Sequence, residues 1–179
     1  MSIVMVGSTS GSITLQEPAV AGNTVLTLPA VTGTVLTTTS PKAGNVIQVV
    51  SATYNTSTAI TSSTFVATGL SASITPTSSS NKILIIASGT IYNSGTNQTD
   101  YTIFRNATTN LCPTSGRGFA EAYSPSASGQ GGQISAVFLD SPSTTSSTSY
   151  ALYGLTSGAI SYFAINGSTC SIVLMEIAA

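Results

Sequence analysis

The chain has 179 residues, of which only four are basic and five acidic, and it contains no histidine or tryptophan. A typical globular protein is about 25% charged, whereas this chain is 5% charged with a net charge of −1. Without a basic cluster there is no electrostatic surface for nucleic acid or for an anionic membrane, and we expect neither as a partner. The 41% of hydrophobic residues predicts a folded protein rather than a disordered one.

The first residues, "MSIVMVGSTSGS", contain an apolar tetrad but no basic region and no apolar core of 7–15 residues, so they do not resemble a secretory signal. No apolar run approaches the roughly 20 residues that span a bilayer. We therefore expect the protein to be made in a cytoplasm. In that reducing compartment Cys112 and Cys170 are expected to be free, with a disulfide as the alternative if the product is later released from the cell.

Residues 1–43 are predicted to form an arm of short strands that is separate from the rest of the chain. The strands are predicted at Ser12–Leu15, Thr24–Leu28 and Thr34–Thr37, and prolines and glycines interrupt them. Each strand can bury only two or three side chains, too few to offset an ordering entropy of about 1–2 kcal/mol per residue. We expect three copies of the chain to complete this arm together. The alternative is a flexible tail, which the regular placement of Val and Leu does not favour.

Residues 44–179 alternate apolar and polar side chains, which predicts an all-β domain: an antiparallel β-sandwich of jelly-roll-like type. Only Gly118–Tyr123 ("GFAEAY") has the composition for a single helical turn. The predicted strands are Asn45–Ala52, Thr64–Pro76, Lys82–Tyr92, Tyr101–Arg105, Gly132–Asp140, Ser149–Leu155, Ile160–Ile165 and Cys170–Ile177.

Two of these strands are apolar on both faces. They contain "KILIIASG" at Lys82–Gly89 and "SIVLMEI" at Ser171–Ile177. Strands of this kind are covered on both faces, yet the outer face of a two-layer sandwich normally meets water. The pattern therefore predicts that one face contacts another subunit. A loop of the same chain lying over the strand is the alternative.

The sequence contains no recognisable catalytic, cofactor-binding or metal-binding set, and we expect a protein that is not an enzyme. The missing histidine removes the commonest general base and zinc ligand. Asp100 and Glu121 form the nearest approach to a carboxylate pair, in a region predicted to be loops. Gly95–Asp100 ("GTNQTD") is rich in oxygen ligands like a calcium loop but has one acid, so an exposed turn is predicted there.

The stretch "SGRGFAEAY" brings Arg117, Glu121 and Tyr123 close together near Phe119 in a predicted loop. These residues could bind a sugar, but an ion pair that holds the loop is the favoured interpretation.

Three segments resemble a group of structural proteins that are common in tailed phages of aquatic bacteria and are described as tail-fibre-like or virion structural proteins. The segments are Gly11–Thr38, which contains "LPAVTGTVLTT", Gly44–Gly89, which contains "VIQVV" and "TPTSSSNKIL", and Ser168–Ala179, which contains "MEI". The resemblance is weakest between Asn93 and Ser149. It implies a homotrimer whose N-terminal part attaches to a larger particle and whose C-terminal β-domain projects from it.

The length of the chain favours one location on such a particle. Only about 40 residues resemble a shaft, and each spans at most 3.3–3.6 Å, so a trimeric capsid decoration (cement) protein or a short head fibre in the virion is expected. Its partners would be itself and the major capsid protein or another virion protein, reached by N-terminal strands that add to sheet edges. The alternative is a short tail or neck fibre that binds a host surface glycan through tyrosine-bearing loops around Tyr101, Tyr123 and Tyr150.

Overall fold

The structure is a computed structural model that describes residues 2–6, 9–16, 30, 41–112 and 117–179. The chain divides into two compact units, Met1–Val35 and Leu36–Ala179. The boundary that the sequence predicts between residues 43 and 44 stays a prediction. The strands predicted at Thr24–Leu28 and Thr34–Thr37 lie outside the described residues.

The described part of the first unit is a two-stranded antiparallel hairpin. Strands β1 (Ser2–Val6) and β2 (Ser12–Gln16) pair with Ser2 opposite Gln16 and Val6 opposite Ser12. The structure confirms the predicted strand at Ser12–Leu15 and adds β1, which the apolar tetrad alone did not predict. Val4, Met5 and Val6 are between 50 and 81% exposed. An isolated two-stranded hairpin is at best marginally stable in water. The hairpin therefore needs a further surface that packs against these exposed side chains.

The second unit is all-β, as predicted, and every strand predicted beyond residue 44 is found with small shifts at its ends. The described residues contain one short 3₁₀ helix, Ile165–Gly167, and none of their helices is long and apolar enough to cross a membrane. The strands are β3 (Val46–Tyr54), β4 (Thr58–Ile60), β5 (Val66–Ile74), β6 (Lys82–Asn93), β7 (Asn97–Arg105), β8 (Thr109–Asn110), β9 (Ala120–Ser124), β10 (Gln130–Asp140), β11 (Thr148–Thr156), β12 (Ser161–Phe163) and β13 (Cys170–Ile177).

These strands form two antiparallel sheets. In the six-stranded sheet, β6 pairs with β10 along one edge and with β13 and then β12 along the other; β3 lies beyond β13 and β4 beyond β12. In the five-stranded sheet, β11 lies between β5 and β7, and the other edge of β7 pairs with β8 and β9. Long β6 therefore holds the first sheet together, since it contacts three of its strands directly.

One hydrophobic core lies between the two sheets, which is the arrangement of a β-sandwich. Alternate residues along each strand face inward, so that Leu70, Ala72 and Ile74 of β5 are buried while Ser71 and Ser73 are exposed. The largest completely buried side chains come from both sheets: Tyr101, Tyr150, Phe163, Ile60, Leu70, Ile83, Ile85, Ile103, Leu152, Ile172, Leu174 and Glu176.

Glu176 is the unexpected member of this core, because it is a carboxylate with no exposed surface. Its two oxygens accept hydrogen bonds from Gln48 Nε2 at 2.6 Å, from the Thr77 backbone N–H at 2.7 Å and hydroxyl at 2.8 Å, and from Asn81 Nδ2 at 2.6 Å. Burial by itself would raise the pKa of this carboxyl, but the hydrogen bonds from Asn81, Gln48 and Thr77 outweigh it and lower the pKa. The ionised carboxylate thereby ties β13 to β3 and to the connection before β6.

Two predictions about short segments are wrong. Gly118–Tyr123 does not form a helical turn, because its last residues belong to β9. Gly95–Asp100 is not an exposed turn, because β7 begins at Asn97 and the side chains of Asn97, Thr99 and Asp100 are buried. In both segments pairing with β7 or its neighbours decides the conformation, which local composition does not report.

Candidate functional site

The outer face of the six-stranded sheet carries two neighbouring rows of apolar side chains that cross its strands. In the first row Val49, Met175, Leu84 and Leu139 lie side by side in register. In the second row Val173, Ile86 and Val137 do the same, next to Ser51. We call these seven apolar residues the apolar face: Val49, Leu84, Ile86, Val137, Leu139, Val173 and Met175.

This surface is the second apolar side of β6 and β13 that the sequence predicted. Val49 and Val137 are each 56% exposed and Leu139 is 47% exposed, so nothing in the described part of the chain lies over them. A loop of the same chain was the alternative, and no loop between residues 41 and 112 or between 117 and 179 lies above these three residues. Antiparallel sheets usually turn a polar side to water, and a contiguous apolar patch therefore indicates a contact surface.

The apolar face ends abruptly at one end of the strands. The next row there consists of Thr53, Ser171, Ser88 and Ser135, and the hydroxyls of Ser88 and Ser171 lie 3.3 Å apart. At the opposite end the adjoining row contains Val46 and Ile177 beside Lys82, and Val46 is 52% exposed. The apolar surface is therefore bounded by hydroxyls at one end and continues past the apolar face at the other, where it lies beside the exposed Lys82.

The outer face of the five-stranded sheet holds the charged cluster that the sequence placed in loops. Asp100 on β7 lies directly opposite Glu121 on β9. Arg117 Nη1 lies 2.7 Å from Glu121 Oε2 and 3.9 Å from Asp100 Oδ1. The structure thus confirms the ion pair of Arg117 with Glu121 but places Glu121 and Tyr123 on a strand. The side chains of Arg117 and Glu121 are about half exposed, so their pair contributes little to stability.

Asp100 differs from its two charged neighbours because its side chain is only 5% exposed. Burial raises the pKa of this carboxyl, and hydrogen bonding from Gln98 and the charge of Arg117 oppose the rise. Phe119 takes no part in this surface, since its ring packs 5.1 Å from that of Phe138 beside the core. Among the described residues, no three His, Cys, Asp or Glu side chains gather closely enough to hold a metal ion.

Tyr101, Tyr123 and Tyr150 do not form one exposed surface. The prediction that these three tyrosines bind a glycan together is therefore wrong. Tyr101 and Tyr150 have no exposed surface, whereas Tyr123 is 60% exposed. Burial raises the pKa of Tyr101 to about 12. The Tyr150 hydroxyl donates to Asp140 at 2.7 Å, and Arg105 also donates to that carboxylate. Tyr101 and Tyr150 are therefore core residues, which sequence alternation alone does not separate from surface tyrosines.

The two cysteines are free, as the sequence predicted. Cys170 is buried at the start of β13 and Cys112 is partly buried. A buried free cysteine behaves as a small hydrophobic residue, so neither is assigned a chemical role.

Comparison with known proteins adds no relative to these observations. A scan of the sequence against protein-family models finds no match, and no curated protein matches it.

Proposed function

We propose that the protein is a non-enzymatic structural component of a bacteriophage virion, a homotrimer that decorates the capsid or forms a short head fibre. The apolar face is the observation that carries this proposal. Seven apolar side chains in register on the outside of a sheet gain free energy when a second surface removes them from water, at roughly 25 cal/mol per Å². The resemblance to virion structural proteins suggests the particle, and the jelly-roll-like topology belongs to the same proposal.

The partner that best matches the apolar face is another copy of the chain. The outward side chains of β3, β13, β6 and β10 include one charge, Lys82 at the rim, so a charged partner would gain at most one ion pair. The two rows of the apolar face occupy roughly 250 Å², and the whole outer side of these four strands, about nine residues long, has a flat footprint of roughly 570 Å². That is of the same order as the roughly 800 Å² that each partner contributes to a standard interface.

An assembly of three copies would cover both the apolar face and the exposed side chains of the N-terminal hairpin. Three faces turned towards a common axis enclose an apolar interior, and each copy then contacts two neighbours. The exposed Val4, Met5 and Val6 of the hairpin need cover as well, and sister copies supply it. A trimer that offers three N-terminal arms to one three-fold site binds by avidity rather than by a single strong contact.

A short tail or neck fibre that binds a host glycan remains the second candidate. One observation favours it: Tyr123 exposes 60% of its surface beside the Arg117–Glu121 pair. Exposed aromatic rings with a polar tip are suited to saccharides.

Solution mass tests the assembly, and copy number tests the location. Light scattering of the purified chain should give three times its 18.0 kDa mass; a stable monomer would refute the proposal. Quantitative gels of purified virions should show dozens to hundreds of copies if the protein decorates the capsid, whereas a handful of copies would favour a fibre. Deletion of residues 1–40 should leave a folded β-domain that no longer attaches to shells.

A further inference from the structure

A groove separates the start of β10 from β9, at the rim where the two sheets of the second unit approach each other. Its volume is about 170 Å³. The walls are formed by Glu121 and Tyr123 of β9 and by residues 130–133 of β10. All four of these β10 residues are exposed, although they belong to a paired strand. This groove is distinct from the apolar face, which starts at Val137 on the same strand.

Two glycines in the groove have no explanation in the fold. A Cβ at Gly131 would lie 3.6 Å from the Ile91 carbonyl oxygen and one at Gly132 would lie 3.8 Å from the Ile91 side chain, which are ordinary van der Waals distances. Gly129 provides the contrast, since its φ is +78° and a Cβ there would lie 2.5 Å from the Asn93 carbonyl oxygen. The fold requires glycine at 129 but not at 131 or 132.

Glycine inside a strand destabilises it, because the residue loses the most conformational freedom on folding and offers no side chain to pack. A strand keeps such residues where a ligand or another backbone must approach closely. Consecutive strand residues point to opposite faces. A Cβ at Gly132 would approach the Ile91 side chain, which lines the groove, whereas one at Gly131 would point towards Tyr92, which does not. Gly132 therefore leaves the β10 wall of the groove bare, and the space beside it is open to a ligand.

The side chains around the bare backbone define the chemistry of that occupant. Tyr123 presents a ring with an apolar body and a polar tip, and it is 60% exposed. Gln130 and Gln133 supply amides that both donate and accept hydrogen bonds. Within the described residues, neither amide has a hydrogen-bond partner assigned to it. Glu121 supplies acceptor oxygens, and its charge is balanced by Arg117 at 2.7 Å.

We propose that this groove binds a neutral saccharide, with one sugar ring lying against Tyr123 and the glycine backbone while Gln130, Gln133 and Glu121 bond its hydroxyls. Two carboxyl groups, Asp100 and Glu121, share one guanidinium, Arg117, so the local charge does not favour an anionic sugar. The volume is below the 300–1,000 Å³ of pockets for drug-sized ligands, so it accommodates a single ring of a longer chain. The groove deepens the second candidate function and is independent of self-association, because the two use different surfaces.

The experiment is binding of the full-length chain to an immobilised panel of neutral hexose and N-acetylhexosamine oligosaccharides, followed by titration calorimetry with the tightest of them. Tyr123→Ala should weaken binding at least tenfold, and Tyr123→Phe should retain most of it. Gly132→Val should abolish binding by filling the groove. Ser135→Val is the matched control, because it makes a similar change on the same strand outside the groove and should bind like the parent.

The thermal midpoint and mass of each variant separate a lost site from a lost fold. Gly132→Val should melt no lower than the parent, because its Cβ has room and valine favours strands. Absence of binding to the whole panel, or unchanged binding by both Tyr123→Ala and Gly132→Val, would overturn the proposal. The proposal would also be overturned if the protein bound a synthetic peptide of residues 23–38 instead of a sugar and the same two variants blocked that binding. The groove would then be a site for a β-strand. A trimeric mass in any of these cases leaves the assembly proposal standing.

Discussion

The two outer faces of the sandwich share one strand geometry but differ in chemistry. Across the six-stranded sheet, the apolar face places Val49, Met175, Leu84 and Leu139 in one row. Across the five-stranded sheet, the outward positions are mixed. Serines on β5, Gln98 and Asp100 on β7 and Glu121 and Tyr123 on β9 share this side with Phe104 of β7 and with Tyr153 and Leu155 of β11. We call this second surface the polar face.

This difference matters because the chain has so few charges. Asp100, Arg117 and Glu121 lie together on the polar face, so a third of the nine charged residues gather in one cluster there. The polar face can meet water without aggregating, whereas the apolar face cannot remain exposed at high concentration without risk of non-specific association. One face is suited to protein–protein contact and the other to solvent and ligands.

The largest difference between the two faces is expected when a carboxylate is introduced on each of them and self-association is measured. Val137→Glu places a carboxylate in the proposed interface, where no cation can pair with it, and should weaken association by about 3 kcal/mol or more, which is over 100-fold. Ser71→Glu introduces the same charge on the polar face and should leave assembly unchanged. Light scattering across a dilution series measures both. A Val137→Glu protein that stays trimeric at the parent's concentrations would remove the apolar face from the interface.

A second pair of variants compares a buried with an exposed glutamate. Glu176→Gln replaces two acceptor oxygens with one acceptor and an NH₂ that faces the donors of Thr77, Asn81 or Gln48, and should cost about 2–4 kcal/mol of unfolding free energy. Glu121→Gln makes the same change on the polar face and should stay within about 0.5 kcal/mol of the parent. Urea unfolding at pH 7 measures both. Equal small losses would show that the Glu176 hydrogen bonds contribute nothing net.

The pH dependence of stability should report the hydrogen bonds of Glu176. Hydrogen bonds lower the pKa of Glu176 in the folded chain, so the unfolded chain takes up a proton first as the pH falls below its ordinary value of about 4.3. Stability from this residue is therefore complete above that pH and declines as pH falls through the lowered pKa. Urea midpoints from pH 7 to pH 3 should fall more steeply for the parent than for Glu176→Gln. Parallel curves would contradict the assignment.

The smallest effect is expected within the polar face itself. Burial raises the pKa of Asp100, so its charged form is disfavoured in the folded chain at neutral pH. Asp100→Asn removes that charge and should stabilise the chain by less than about 1 kcal/mol at pH 7, with the gain shrinking as the parent carboxyl takes up its proton at lower pH. The free energy of unfolding in urea, measured at pH 7 and again at the lower pH, tests this. A clear loss of stability would instead mean that attraction to Arg117 outweighs the cost of burial.

Much of the fold was predictable because strand periodicity is local. Alternation along Val66–Ile74 and Thr148–Thr156 specified both the strands and the side chains that face the core. The doubly apolar pattern of β6 and β13 likewise predicted an apolar outer side, while its cover by another subunit stays a prediction. Besides β1, three strands escaped prediction for physical reasons: β4 and β8 have only three and two residues, and β9 contains Ala and Glu, which favour helices when no neighbouring strand is considered.

The sequence by itself determined the character of the chain, which is sparsely charged, rich in hydroxyl groups, free of histidine and composed of alternating strands. Only the tertiary structure decided which chemistry-bearing side chains meet. It paired Asp100 with Glu121, buried Tyr101 and Tyr150, left Tyr123 exposed and showed that two glycines of β10 are not required by packing. The reason is that periodicity is a property of neighbouring residues, whereas register and packing join residues that are far apart in the chain.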